Sequence, residues 1–219
     1  PTQKYDQVHS DVPPSVWDRS IQIAFLFHEI GHVHYSDFDR FGEVKANIDT
    51  RWRELFRSVY NAAEDGVIET QIANEFSVAD DLTLLNETLV RHADRRHEQY
   101  VELFDMETDG TPVQSYTVFE ALSIGLLDRG YFDSGRFDEI VDGENQRRVV
   151  LGGHDEVVRS LVPEIDEFMT GMLSEPDSTA RVNRACEFFE AIRDVFQSLP
   201  PLQQRRVQTV PVKPTDTQA

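Results

Sequence analysis

The sequence predicts a mainly α, multi-helix domain with little or no sheet, in which a histidine-bearing helix packs on a second, glutamate-bearing helix. Three observations carry this. Apolar residues recur at helical spacing through most of the chain. Strand-type alternation shows only weakly, at 207–212. Recognisable starts and breaks bound the periodic stretches: Pro13-Pro14-Ser15, Asp109-Gly110-Thr111-Pro112 and Asp177-Ser178.

Residues 1–14 read as an irregular lead-in. The first helix is expected over 15–35, with Ser15 as N-cap and Asp18 as its acidic capping-box partner. Trp17, Ile21, Ala24, Phe25, His28, His32 and Tyr35 share one face. Ile23, Leu26, Phe27, Ile30 and Val33 make the remainder apolar too, so this helix is expected to be central and buried. Residues 36–48 form a loop or short helix at the rim of a cleft. The second long helix spans about 50–76, on the periodicity of Trp52, Leu55, Phe56, Val59, Tyr60, Ala63, Val67, Ile68 and Ile72. Another amphipathic stretch runs over 81–104, and further helices are expected near 114–128, 136–142, 146–173 and 178–198. Pro200-Pro201 closes a domain of residues 1–202. Residues 203–219, with Pro211 and Pro214 and no periodicity, read as a flexible tail or linker.

The chemistry lies in His28-Glu29-Ile30-Gly31-His32. Residues four apart on a helix stack on one face, so both imidazoles can close on one metal ion. Glu29, turned by about 100°, can reach a water on that ion as general base. Two histidines and a glutamate in an apolar helix need partners, since unpaired buried polar groups are costly, and a metal supplies one. A third ligand is expected from Asn61-Ala62-Ala63-Glu64-Asp65-Gly66-Val67-Ile68-Glu69. Tyr60, Ala63, Val67 and Ile68 surround Glu64, whereas Asp65 and Glu69 rotate to the polar side. Glu64 is therefore the expected ligand beside His28 and His32, with Asp65 as the fallback or as an acid that orients a ligand histidine. Tyr35, Tyr60 and His154 are candidate donors to a transition-state oxyanion. His34 faces elsewhere, and His92 and His97, five apart among arginines, read as a solvated face.

These residues resemble the zincin metallopeptidases, in the gluzincin arrangement where a glutamate from a later helix completes the site. The run His-Glu-Ile-Gly-His-Val-His-Tyr-Ser-Asp-Phe, followed by Asn-Ala-Ala-Glu-Asp-Gly-Val-Ile-Glu, is also similar to metallopeptidase domains found beside von Willebrand A modules in archaea and bacteria. The resemblance covers about 40 residues. It implies Zn²⁺ held by His28, His32 and Glu64, with Glu29 as base, in a peptidase acting on a peptide or protein substrate. An inactive metal-binding module serving a von Willebrand A or ATPase partner is the other function it implies. Gluzincins usually carry an aspartate four residues after the ligand glutamate. Here that position is Ile68, which leaves Asp65 or Glu69 to support the site.

Charge narrows the partners. The chain carries 40 acids against 21 bases, a formal net charge of −19, and only three lysines: Lys4, Lys45 and Lys213. Dispersed acids with little lysine suit a surface kept soluble at high salt, so a halophilic source is expected. Nucleic acid and anionic lipid would be repelled at low salt and are excluded as direct partners. Cys186 stands alone in a helical core pattern, so no intrachain disulfide forms and a cytoplasmic setting is expected. No run of 18 apolar residues is present to span a membrane. The first residues show no signal peptide and no initiator Met, consistent with excision from a longer chain or with processing.

Overall fold

The computed structural model describes residues 12–104, 107–108, 111–112, 114–142 and 148–206. Most of the expected lead-in, Asp109-Gly110, the weak strand at 207–212 and the side chain of His97 lie outside the described residues. Eight α-helices follow in order: α1 (Pro14–Tyr35), α2 (Phe38–Asn47), α3 (Arg53–Glu75), α4 (Ala79–Phe104), α5 (Val118–Leu127), α6 (Arg136–Asp142), α7 (Asp155–Ser174) and α8 (Ser178–Ser198). Strands are minor. β1 (Glu107–Thr108) pairs antiparallel with β2 (Thr111–Pro112), and β3 (Gln114–Tyr116) pairs in parallel with β4 (Arg148–Val150). The mainly α expectation holds. Three-residue strands are too short to show alternation in sequence, which is why 114–116 and 148–150 read as helix. No helix among the described residues is long and apolar enough to cross a membrane.

The central helix is α3, not α1. Leu55, Phe56, Val59, Ala62, Ala63, Val67, Ile68 and Ile72 leave no wide polar face, and all are buried. Around α3 lies a large apolar cluster built with α2, α5, α6, α7 and α8. A smaller cluster joins Trp17, Ile21 and Ala24 of α1 to Ile72 of α3 and Leu82 and Leu85 of α4. The expectation of a buried α1 is corrected accordingly. Its buried face carries Trp17, Ile21, Ala24 and Gly31, while Leu26 and Val33 on the opposite side are 58% and 78% exposed. Apolar residues all round a helix signal burial only if an element of the same fold covers each face, and none of the described residues covers that one.

Two glycines set the approach of neighbouring elements. A Cβ on Gly31 would lie 2.3 Å from Cδ1 of Ile72, so α1 crosses α3 closely and any larger residue there would force the Ile72 side chain to shift. A Cβ on Gly66 would lie 2.8 Å from Cα of Gly130, in the wide helical turn Asp128–Phe132 that follows α5.

Caps and ends also differ from the sequence reading. α1 starts from Pro13 with Pro14 in its first turn and no side-chain cap, and Asp18 instead accepts from Gln22. α8 starts as expected, with Asp177 accepting from the Ala180 amide. α5 carries a capping box, Thr117 with Glu120. Gln203, expected at the start of a tail, is packed into the fold. Gln203 is buried, donates to the Leu151 carbonyl at 2.7 Å and accepts from the Val118 amide at 3.0 Å, which stitches the chain to the start of α5.

Candidate metal centre

α1 and α3 meet at the motif. His28 and His32 stand one turn apart with ring centroids 4.8 Å apart and planes nearly perpendicular, at 87°. From α3, Asp65 points into the gap. Its Oδ1 lies 3.2 Å from Nε2 of His32 and 3.9 Å from Nε2 of His28, and the ligand atoms of the three residues fall within 4.8 Å of one another. Tetrahedral zinc with bonds of about 2.0–2.1 Å separates its ligand atoms by about 3.3 Å. The 3.2 Å separation of His32 and Asp65 matches that edge length, and the 3.9 Å separation of His28 and Asp65 is longer.

Proton accounting fixes which imidazole nitrogens are free. Glu69 Oε1 lies 3.0 Å from Nδ1 of His28, and Glu69 Oε2 accepts from Asn86 Nδ2 at 3.0 Å. An ionised carboxylate only accepts, so Nδ1 of His28 is the donor. At His32, Nδ1 lies 3.2 Å from the Ser36 hydroxyl, which donates its one proton to Glu64 Oε1 at 2.8 Å. Ser36 can then only accept, so Nδ1 of His32 is the donor as well. In the neutral rings both Nε2 atoms therefore present lone pairs toward the Asp65 carboxylate. Three electron-rich atoms facing one another favour a cation among them, whether a proton on a ring or a metal ion. Burial works to lower the His28 pKa, but the Glu69 hydrogen bond and the charges of Asp65, Glu69 and Glu29 carry it above the usual imidazole value. The same surroundings that draw a proton suit a divalent ion.

Glu64 does not reach the histidines directly, which corrects the expected third ligand. It is 0% exposed and paired with Arg181 of α8, itself 1% exposed. Nε and Nη2 of Arg181 each donate to Glu64 at 2.9 Å, one to each carboxylate oxygen. Arg181 also donates to the carbonyls of Tyr35 and Glu175, at the ends of α1 and α7. Glu64 thus acts on the site at one remove, through Ser36. The apolar surroundings that single it out in the sequence mark the inward face of α3, whereas α1 lies against the edge that Asp65 and Glu69 occupy.

The remaining candidates separate. Glu29 is exposed on α1 and close enough for its charge to raise the His28 pKa. Tyr35 is turned away and donates to Glu75. Tyr60 is buried on the Glu64 side of α3, where burial and then the Glu64 charge push its hydroxyl pKa well up, so it is a poor proton donor. His154 sits beside Gly152 at the start of α7, outside the lining of the cavity at the metal centre. Ser36, Asn86 and Arg181 are participants that the sequence reading missed. Arg181 leaves a signal: with Ala185, Phe188 and Ile192 it lies on the apolar face of α8, and a cation there requires a buried acid. The chain matches no protein-family model, no curated protein and no solved structure.

Proposed function

We propose that the chain is a zinc-dependent peptidase, with the metal held by His28, His32 and Asp65. The observation that carries this reading is the convergence of Nε2 of His28, Nε2 of His32 and the Asp65 carboxylate, with the two rings held from behind by Glu69 and by Ser36–Glu64. Two imidazoles and one carboxylate are a donor set suited to zinc, with a fourth position left for water or substrate. Zinc held there would supply a Lewis acid and lower the pKa of a water. The chain's own base is Glu29, whose carboxylate takes a proton from the attacking water and returns it to the leaving amine. Glu69 and Ser36 keep the two rings oriented, and Asn86 holds Glu69 in place. The side chains of His28, His32 and Asp65 are 19%, 21% and 31% exposed, as an open site requires and a closed structural clamp does not.

The test is Glu29→Gln, assayed for zinc content and for cleavage of a mixed peptide pool at molar salt. Full zinc occupancy with cleavage abolished is expected. Unchanged turnover would remove Glu29 from the mechanism, and loss of zinc would reassign it to metal binding. The uncovered outer face of α1 favours a second reading, a metal-clamped interaction module for a von Willebrand A or ATPase partner. A zinc-loaded protein that cleaves no peptide, yet is retained by such a partner, would support that reading instead.

A further inference from the structure

A cavity of about 290 Å³ opens beside the metal centre, with His28, Asp65 and Glu69 in its lining. Much of the rest of its wall is apolar: Phe25 from α1, Leu85, Leu89 and Val90 from α4, and Leu127 at the end of α5. Tyr131 adds a phenol to the lining, and Arg136, at the start of α6 and 8% exposed, is the one Arg or Lys in it among the described residues.

Charge and size together limit the occupant. A divalent metal would offset Asp65 and Glu69, and Arg136 brings a guanidinium to the lining beside them. A guanidinium carries five N–H donors, so it can take a carboxylate alongside contacts it already makes. The volume falls at the bottom of the range of about 300–1,000 Å³ typical of small-molecule sites, enough for one residue-sized group. An apolar body, one anionic group and a hydrolysable bond at the metal describe the last residue of a peptide.

We propose that this cavity binds the C-terminal residue of a peptide, its apolar side chain among Leu85, Leu89 and Leu127 and its α-carboxylate on Arg136. The site is then a carboxypeptidase-type one, and this specificity rests on the peptidase reading above. Water adds across the last peptide bond: the C–N bond breaks, the acyl carbon gains the hydroxyl, the departing amine gains the proton, and one free apolar amino acid is released. Asp65 and Gly66, neighbours in α3, place the ligand and the cavity wall side by side.

Binding tests the site without turnover. Zinc-loaded and metal-free protein are titrated calorimetrically at molar salt with 3-phenylpropionate, its amide and propionate. The expected order has 3-phenylpropionate tightest, with the amide weaker by about 10- to 100-fold for loss of a charge-assisted hydrogen bond. Propionate is weaker by a similar factor, about 10- to 100-fold, for loss of the buried ring. Arg136→Met should erase the preference for acid over amide, and Leu89→Trp should block the ring while zinc content stays full. Equal binding of acid and amide by the unmodified protein overturns the assignment, whether or not either variant folds. An N-acylated dipeptide ending in Phe is then compared with its C-terminal amide as substrate. Equal cleavage of both overturns the terminal specificity and leaves the peptidase reading standing. Acid-selective binding with no cleavage of any peptide leaves the binding site standing and removes the peptidase reading.

Discussion

Replacing Arg181 by Met strips the counter-charge from Glu64 while keeping a similar volume. Glu64 is 0% exposed and Arg181 1%, so water cannot take over the lost contacts. Removing one partner of a buried pair costs about 3–5 kcal/mol because the other charge stays behind. Against a total stability of about 5–15 kcal/mol, that is a large fraction. At about 2–4 °C per kcal/mol for a domain of this size, Tm should fall by roughly 6–20 °C. Adding Glu64→Gln removes the stranded charge, so the double variant should unfold at a higher temperature than Arg181→Met alone. Thermal unfolding of metal-free protein followed by circular dichroism measures both. Molar salt should not rescue the single variant, since screening acts on exposed charges. Zinc affinity should fall about 10- to 100-fold in either variant, because the acceptor that fixes Ser36 and His32 is disturbed. A loss under about 1 kcal/mol for Arg181→Met, or a double variant less stable than the single one, would refute the buried-charge account.

Gly31→Ala should cost about 1–3 kcal/mol by driving a methyl into Ile72, and Ile72→Val, which deletes the clashing Cδ1, should recover part of the loss. Chemical denaturation of the two single variants and the double checks this, and strict additivity would place the clash elsewhere. The His28 pKa lies above the ordinary 6.5, so its proton stabilises metal-free protein fully below about 6.5, and that stability is lost as pH rises through the folded value. Zinc takes the place of that proton. The zinc-induced rise in Tm should therefore be larger at pH 8 than at pH 6 at equal free zinc, and scanning fluorimetry showing equal shifts would exclude the competition. With a net charge of −19, the chain should gain several degrees in Tm between about 0.1 and 1 M KCl, as the Debye length falls from about 10 to 3 Å. A Tm independent of salt would dismiss the halophilic reading of its composition.

The helical class and the pairing of His28 with His32 were legible because each rests on local spacing. α8 begins and ends where its Asp177 cap and apolar periodicity put it, and His28 and His32 are neighbours on any helix. What escaped depends on distant residues. β3 and β4 are 32 residues apart at their ends and only three residues long, so nothing local announces their pairing. The burial of α3 rather than α1 follows from which helix the others surround, and both sequences are apolar enough for the centre. Gln203 reads as tail because its partners, Val118 and Leu151, lie far back along the chain.

The exchange of Glu64 for Asp65 shows why apolar surroundings mislead in choosing a ligand. Adjacent acids on a helix point about 100° apart, so only one of them can face α1. The acid among Tyr60, Ala63 and Val67 faces the larger cluster, where it must be neutralised, and Arg181 does that from α8. The acid one step on faces the seam between the two clusters, partly exposed and within reach of both imidazoles. The two roles are linked in sequence and in space. Packing of α8 on α3 fixes Glu64, Glu64 fixes Ser36 at the end of α1, and Ser36 fixes the ring of His32. The larger cluster thereby orients a candidate ligand carried by the helix of the smaller one. A metal at that seam would bind the docked arrangement of α1 on α3 in preference to any in which α1 has moved away.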